Sequence, residues 1–130
     1  NDILIENCII ENTTWSAIDF YSELKGNNIN ITIRNNFINN NSWGIGCSGM
    51  GEKDSKCIIN NNIIINSYAG IGSGNLNGYG FLKIFNNTII NYHDYGIIIS
   101  TNNNNIIKNN IIENGLSIYD GIGISFMVLL

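Results

Sequence analysis

Acid–base residues are scarce in this 130-residue chain: Asp19, Arg34, Asp54 flanked by Lys53 and Lys56, and His93 beside Asp94 in Tyr-His-Asp-Tyr-Gly. Cleaving a polymer needs two groups at a set separation, one to accept a proton and one to deliver it. Side chains of neighbouring residues on extended backbone leave opposite faces, so His93 and Asp94 are expected to point apart. If the chain is an enzyme, its catalytic candidates are Asp19, His93 and Asp94; the balance falls on a non-catalytic segment. The binding candidates are aromatic. Trp15, Trp43, Tyr68, Tyr95 and Tyr119 each stand shortly before a recurring small residue and Ile. Ring faces of this kind either pack a corner or lie against pyranose C–H groups while nearby carboxylates and amides bond the hydroxyls. The ligand-binding set expected on the second reading is Trp15, Asp19, Tyr21, Trp43, Tyr68 and Tyr95.

Metal and cofactor signals are absent. Cys8, Cys47 and Cys57 have neither zinc-ligand spacing nor the density of a disulfide framework. Cys47 and Cys57 bracket one loop and could bridge, but burial as small apolar residues is favoured. Gly44, Gly46 and Gly49 match Gly-x-Gly-x-x-Gly, yet no helix follows and similar glycine pairs recur along the chain. No cofactor is expected.

The positioning elements are repeats. The phrase Ile-Asn-Asn-Asn-Ile-Ile-Ile-Asn at 59–66 returns in frame from Ile5, Ile33, Ile84 and Ile107, at intervals of 28, 26, 25 and 23 residues. A second phrase follows each copy: Ala17-Ile18, Gly44-Ile45, Gly70-Ile71, Gly96-Ile97 and Gly121-Ile122. A period of this length marks a stacked-repeat architecture. Isoleucine and asparagine make up 56 of 130 residues, with no proline. Ile favours strands and Asn favours turns, and neither favours helix interiors. Three short apolar segments per repeat therefore predict three strands per coil, each stacking on its equivalent one repeat later.

Such a chain resembles the right-handed parallel β-helix superfamily that includes pectate lyases and many surface proteins. The resemblance rests on the Gly-Ile-x-Φ and Ile-x-Asn-Asn-Φ-Ile-x-Asn phrases and covers residues 1–130. It implies an all-β fold of about five coils with an Asn ladder, roughly 24 Å tall at the usual strand separation. Asn36, Asn62, Asn87 and Asn110 are the expected rungs, with Cys8 opening the column. The outward positions of the third strand would be Asp19, Gly46, Gly72, Ile98 and Gly123, the glycines leaving a shallow trough for an extended polymer. Lyases of this fold use clustered carboxylates for calcium and a Lys or Arg base; its hydrolases use paired aspartates, Gly-His-Gly and Arg-Ile-Lys. None of those phrases stands in this chain.

Only 12% of residues are charged and the net charge is -4, which predicts no basic surface for nucleic acid. No apolar run is long enough for a membrane span. The bare apolar ends suggest one domain cut from a longer β-helix, its ends covered by further coils or another chain. The expected function is an extracellular, adhesin-like surface β-helix that binds polysaccharide or a cell-surface partner. The alternatives are a polysaccharide lyase (with calcium), glycoside hydrolase or epimerase, and a structural spacer or viral fibre segment.

Overall fold

The computed structural model describes residues 2–21, 29–48, 55–73, 81–100, 105–117 and 121–127, and the statements below concern these. Lys53, Asp54, Tyr119 and the loop 74–80 lie outside them, as do the side chains of Tyr21 and Ser48.

Each repeat folds as strand, corner, strand, corner, strand. The first strands are β1 (Asp2–Glu6), β4 (Asn30–Arg34), β7 (Lys56–Asn60), β10 (Phe81–Phe85) and β13 (Ile106–Lys108). The second are β2 (Ile9–Glu11), β5 (Phe37–Asn39), β8 (Ile63–Ile65), β11 (Thr88–Ile90) and β14 (Ile111–Glu113). The third are β3 (Ser16–Tyr21), β6 (Trp43–Ser48), β9 (Ala69–Ser73), β12 (Tyr95–Ser100) and β15 (Ile122–Met127). Each set forms its own five-stranded sheet, paired in parallel and in chain order. The protein is therefore an all-β parallel solenoid with three sheets around one core.

Period-2 alternation decides which side chains fill that core. Ile33, Ile38, Ile45, Ile59, Ile64, Ile71, Ile84, Ile89 and Ile97 are fully buried, one from each strand of the middle coils. Removing such a side chain from water stabilises the fold by about 1.5–3 kcal/mol. At the two ends the equivalent inward residues are open: Ile3 is 47% exposed and Ile124 43%.

Asparagine does two jobs at the first corner. Asn7, Asn35, Asn61, Asn86 and Asn109 take positive φ, near 55°, where Asn is strained less than most residues. The residue after each turns inward. Asn36, Asn62 and Asn87 are 1–2% exposed, and their amides form the predicted ladder. The Asn62 Oδ1 accepts from the Asn36 backbone N–H (3.1 Å) and Nδ2 (3.0 Å), and Asn87 and Asn110 repeat this one coil on. The remaining Nδ2 proton reaches a strand carbonyl of the preceding coil, Ile5, Ile33, Ile59 or Ile84. Cys8 ends the column: its backbone N–H donates to Asn36 Oδ1 at 3.0 Å, while its own side chain is exposed.

A second corner carries a second column that sequence reasoning left without a role. Asn12, Asn40, Asn66, Asn91 and Asn114 also take positive φ. Their amides bond on the exposed side, Asn40 to Asn12, Asn91 to Asn66 and Asn114 to Asn91, with Asn66 reaching Asn39 instead. Open to water, these bonds add little; the backbone geometry is what selects Asn there.

The last coil departs from the expected register. Ile97 faces Ile124, and Tyr95 faces Ile122, so the counterpart of Gly96-Ile97 is Gly123-Ile124 and not Gly121-Ile122. Two Gly-Ile pairs stand in succession here, and the sequence could not say which one packs. The connection ahead of β15 is tied to the coil below instead: Leu116 N–H donates to the Tyr92 carbonyl (2.8 Å) and the Tyr92 hydroxyl to the Gly121 carbonyl (3.3 Å).

Candidate functional site

The third sheet and the corner before it hold nearly all of the proposed binding residues, but not as one column. Trp43 pairs with Ser16 and Ala69, and Ala69 with Tyr95, so Trp43 and Tyr95 share a register position. Trp15 and Tyr68 stand one residue earlier, before Ser16 and Ala69. The aromatic series is thus staggered: Trp15 and Tyr68 on the corner, Trp43 and Tyr95 at the strand start. The corner pair is the accessible one, Trp15 at 73% and Tyr68 at 46% exposure.

The expected trough along the third sheet is filled. The Trp43 ring covers Gly72, occupying the space a Cβ there would need, and the Asp19 carboxylate lies over Gly46. Gly123 leaves this row altogether, because Ser125 is the residue that faces Ile98. The glycines serve to seat a ring and a carboxylate from the neighbouring coil. Tyr21 pairs with Ser48 at the end of β3.

His93 and Asp94 do not point apart. Their side chains meet, Nδ1 to Oδ1, at 2.7 Å. The expectation assumed extended backbone, but both residues lie in a bend ahead of β12. Stacking completes the cluster: the Asp94 N–H donates to the Tyr68 carbonyl, placing Asp94 directly over Tyr68. The Tyr68 hydroxyl donates to the other carboxylate oxygen, Oδ2. The Tyr68 and His93 rings stack, centroids 5.0 Å apart and planes 11° from parallel. An alignment of the coils on their Gly-Ile phrases would have shown this, since Tyr68 and Asp94 each precede that glycine by two residues.

These bonds set the titration of the cluster. The Tyr68 hydroxyl, then His93, stabilise the Asp94 carboxylate and hold its pKa below the ordinary value. Donating to that carboxylate, and then burial, raise the Tyr68 phenol. An ionised Asp94 can only accept, so His93 Nδ1 carries the proton in this contact. The folded-state pKa of Asp94 is depressed, so its contribution to stability is complete above the unfolded value and disappears as pH falls through the folded value. Tyr68→Phe is expected to move the Asp94 titration upward, toward an ordinary aspartate, in a carbon-detected NMR titration. An unmoved Asp94 would contradict the bond.

Cys47 and Cys57 are buried, unbridged, with sulfurs 3.6 Å apart. Contact with Cys57, then burial, push the Cys47 thiol well above its usual pKa, so it is inert as a nucleophile. Arg34 is engaged by Glu6 on the first sheet, Nε to Oε2 at 2.7 Å. Among the described residues no group of three or more His, Cys, Asp or Glu could hold a metal ion. None of the described residues forms a helix long and apolar enough to cross a membrane. The corner therefore offers exposed aromatic faces, one oriented imidazole and one ionised carboxylate. Comparison with family models, curated proteins and solved structures returned no match.

Proposed function

We propose that this segment is part of an extracellular, adhesin-like β-helix of the right-handed, pectate-lyase-like kind. It binds polysaccharide non-catalytically along the corner before its third sheet. The observation that carries the reading is the exposure of Trp15 and Tyr68 on a rigid corner, with Asp94 and His93 fixed beside Tyr68. A solvent-exposed Trp has no packing reason to stay so, whereas an amphipathic ring suits a sugar face. Trp15 and Tyr68 belong to coils two apart, so their backbones are separated by roughly 10 Å at ordinary strand spacing. That span is close to a disaccharide in an extended glycan. The two rings thus stack on alternate sugars, while Asp94, one coil beyond Tyr68, accepts from a hydroxyl of the next sugar along.

Trp15→Ala and Tyr68→Ala are each expected to weaken glycan-array binding by roughly tenfold, the loss typical of an exposed aromatic anchor. For Trp15→Ala stability should stay within about 0.5 kcal/mol of the parent, as for other exposed substitutions, whereas Tyr68→Ala also loses its bond to Asp94 and should cost more. Unchanged binding with lowered stability would make the rings mere packing.

One observation favours the enzymatic alternative. A carboxylate that orients an imidazole through Nδ1 is the arrangement of a general base. Incubation with uronate polymers, with and without calcium, would decide it. Unsaturated product lost in His93→Gln would establish a lyase and displace the binding reading.

A further inference from the structure

The net charge of -4 conceals a local excess of cations on a different face. Of the six Lys and Arg residues, Arg34, Lys56, Lys83 and Lys108 all project from the first sheet. The expectation of no basic surface for nucleic acid did not foresee this grouping.

Arg34 is neutralised by Glu6, whereas no acidic side chain among the described residues pairs with the three lysines. The ion pairs among the described residues are Arg34–Glu6 and His93–Asp94. Their arrangement is regular. Lys56 faces Phe81, Ile58 faces Lys83, and Phe85 faces Lys108. Each lysine thus stands one coil further on and two residues further along than the one before. That offset produces a diagonal with about 8 Å per step, from ordinary strand spacing and rise. Two phenyl rings fill the diagonal. Lys56 and Lys83 place their ammonium groups 5.7 and 5.3 Å from the Phe81 ring centre, and Lys108 lies 5.8 Å from that of Phe85. Cation–π contact of this kind holds the stems down while the charged heads stay accessible. Like charges brought together, with no acidic partner among the described residues, cost free energy that a polyanion would relieve.

We propose that the Lys56–Lys83–Lys108 diagonal is a second binding site, for a linear anionic glycan that lays its carboxylate or sulfate groups along the three ammoniums. It lies on the first sheet, so it does not depend on the aromatic corner or on the sugar proposed there. A glycan fits better than a single-stranded nucleic acid because the phenyl rings already carry ammonium groups and are not free for base stacking.

The test measures binding of the whole chain to dextran sulfate, polygalacturonate, neutral dextran and an oligothymidylate, at low and physiological salt. The two acidic glycans are the arms that separate sulfate from carboxylate recognition. Binding of at least one should appear and weaken with salt. Lys56→Gln, Lys83→Gln and Lys108→Gln combined should weaken it roughly tenfold, the sum of three exposed charge pairs. The triple Lys→Arg variant should restore it. Adding Asp19→Asn, Glu11→Gln and Glu113→Gln to the triple Gln variant returns the net charge without returning the diagonal, and binding should stay lost. The proposal is overturned if neither acidic glycan binds, if neutral dextran binds equally, if oligothymidylate binds more tightly, or if restoring net charge alone restores binding.

Discussion

Asn62→Ala is expected to lower the free energy of unfolding by about 2–4 kcal/mol, because it leaves several buried polar groups without partners at once. The side chain is 1% exposed, so water cannot replace it. Its Oδ1 accepts from the Asn36 N–H and Nδ2, and its Nδ2 donates to the Ile33 carbonyl and to Asn87. A methyl group returns none of these. Asn66→Gly is the matched comparison. Asn66 sits at the other corner with φ 53°, a conformation glycine adopts freely, and its amide bonds in the open. That variant should cost about 0.5 kcal/mol or less, as other exposed changes do. Urea unfolding of the pair checks both, and equal losses would remove the distinction between a buried and an exposed amide column.

Gly70→Ala is the second large expected loss, about 3 kcal/mol, at the upper end of ordinary overpacking. A Cβ at Gly70 would fall 2.5 Å from the Gly96 carbonyl oxygen and 2.6 Å from Ile89 Cγ2. The first of these atoms is backbone and the second is fully buried, so neither can yield without moving a coil. Gly44 and Gly96 meet the same obstacle, each against the carbonyl of the glycine one coil on. At Gly123 the column ends and the nearest obstacle, the Tyr92 hydroxyl, is 3.8 Å away. Gly123→Ala should therefore be nearly neutral. A Gly70→Ala protein as stable as Gly123→Ala would mean that the coils stack more loosely than this.

Both variants act on features written plainly in the sequence. Five phrases in one frame gave the coil, and the Asn pair at each corner gave the ladder, since an amide can bond its own copy above and below. Gly44, Gly70 and Gly96 were legible as a recurring phrase, but not as strand residues that make room for a carbonyl of the next coil. The site was legible only in part. Trp15 and Tyr68 stand on the corner while Trp43 and Tyr95 stand on the strand, because a one-residue difference in distance to the following small residue shifts a side chain off the row. The His93–Asp94 contact was missed because a bend breaks the alternation that the expectation assumed. The lysine diagonal escaped for another reason. Lys56, Lys83 and Lys108 occupy different positions in their own repeats, and only the strand register shows that the offset is constant. The fifth coil was misaligned because two consecutive Gly-Ile pairs satisfy the same pattern.

Coil-to-coil order in this molecule comes from amides sealed inside one bend, and hydrogen exchange of the side-chain NH2 groups reads that directly. In ¹⁵N-resolved spectra the Asn62 and Asn87 amide protons should exchange with solvent far more slowly than those of Asn66 and Asn91. Fast exchange at all four would place the inner amides in water and contradict the stacked column.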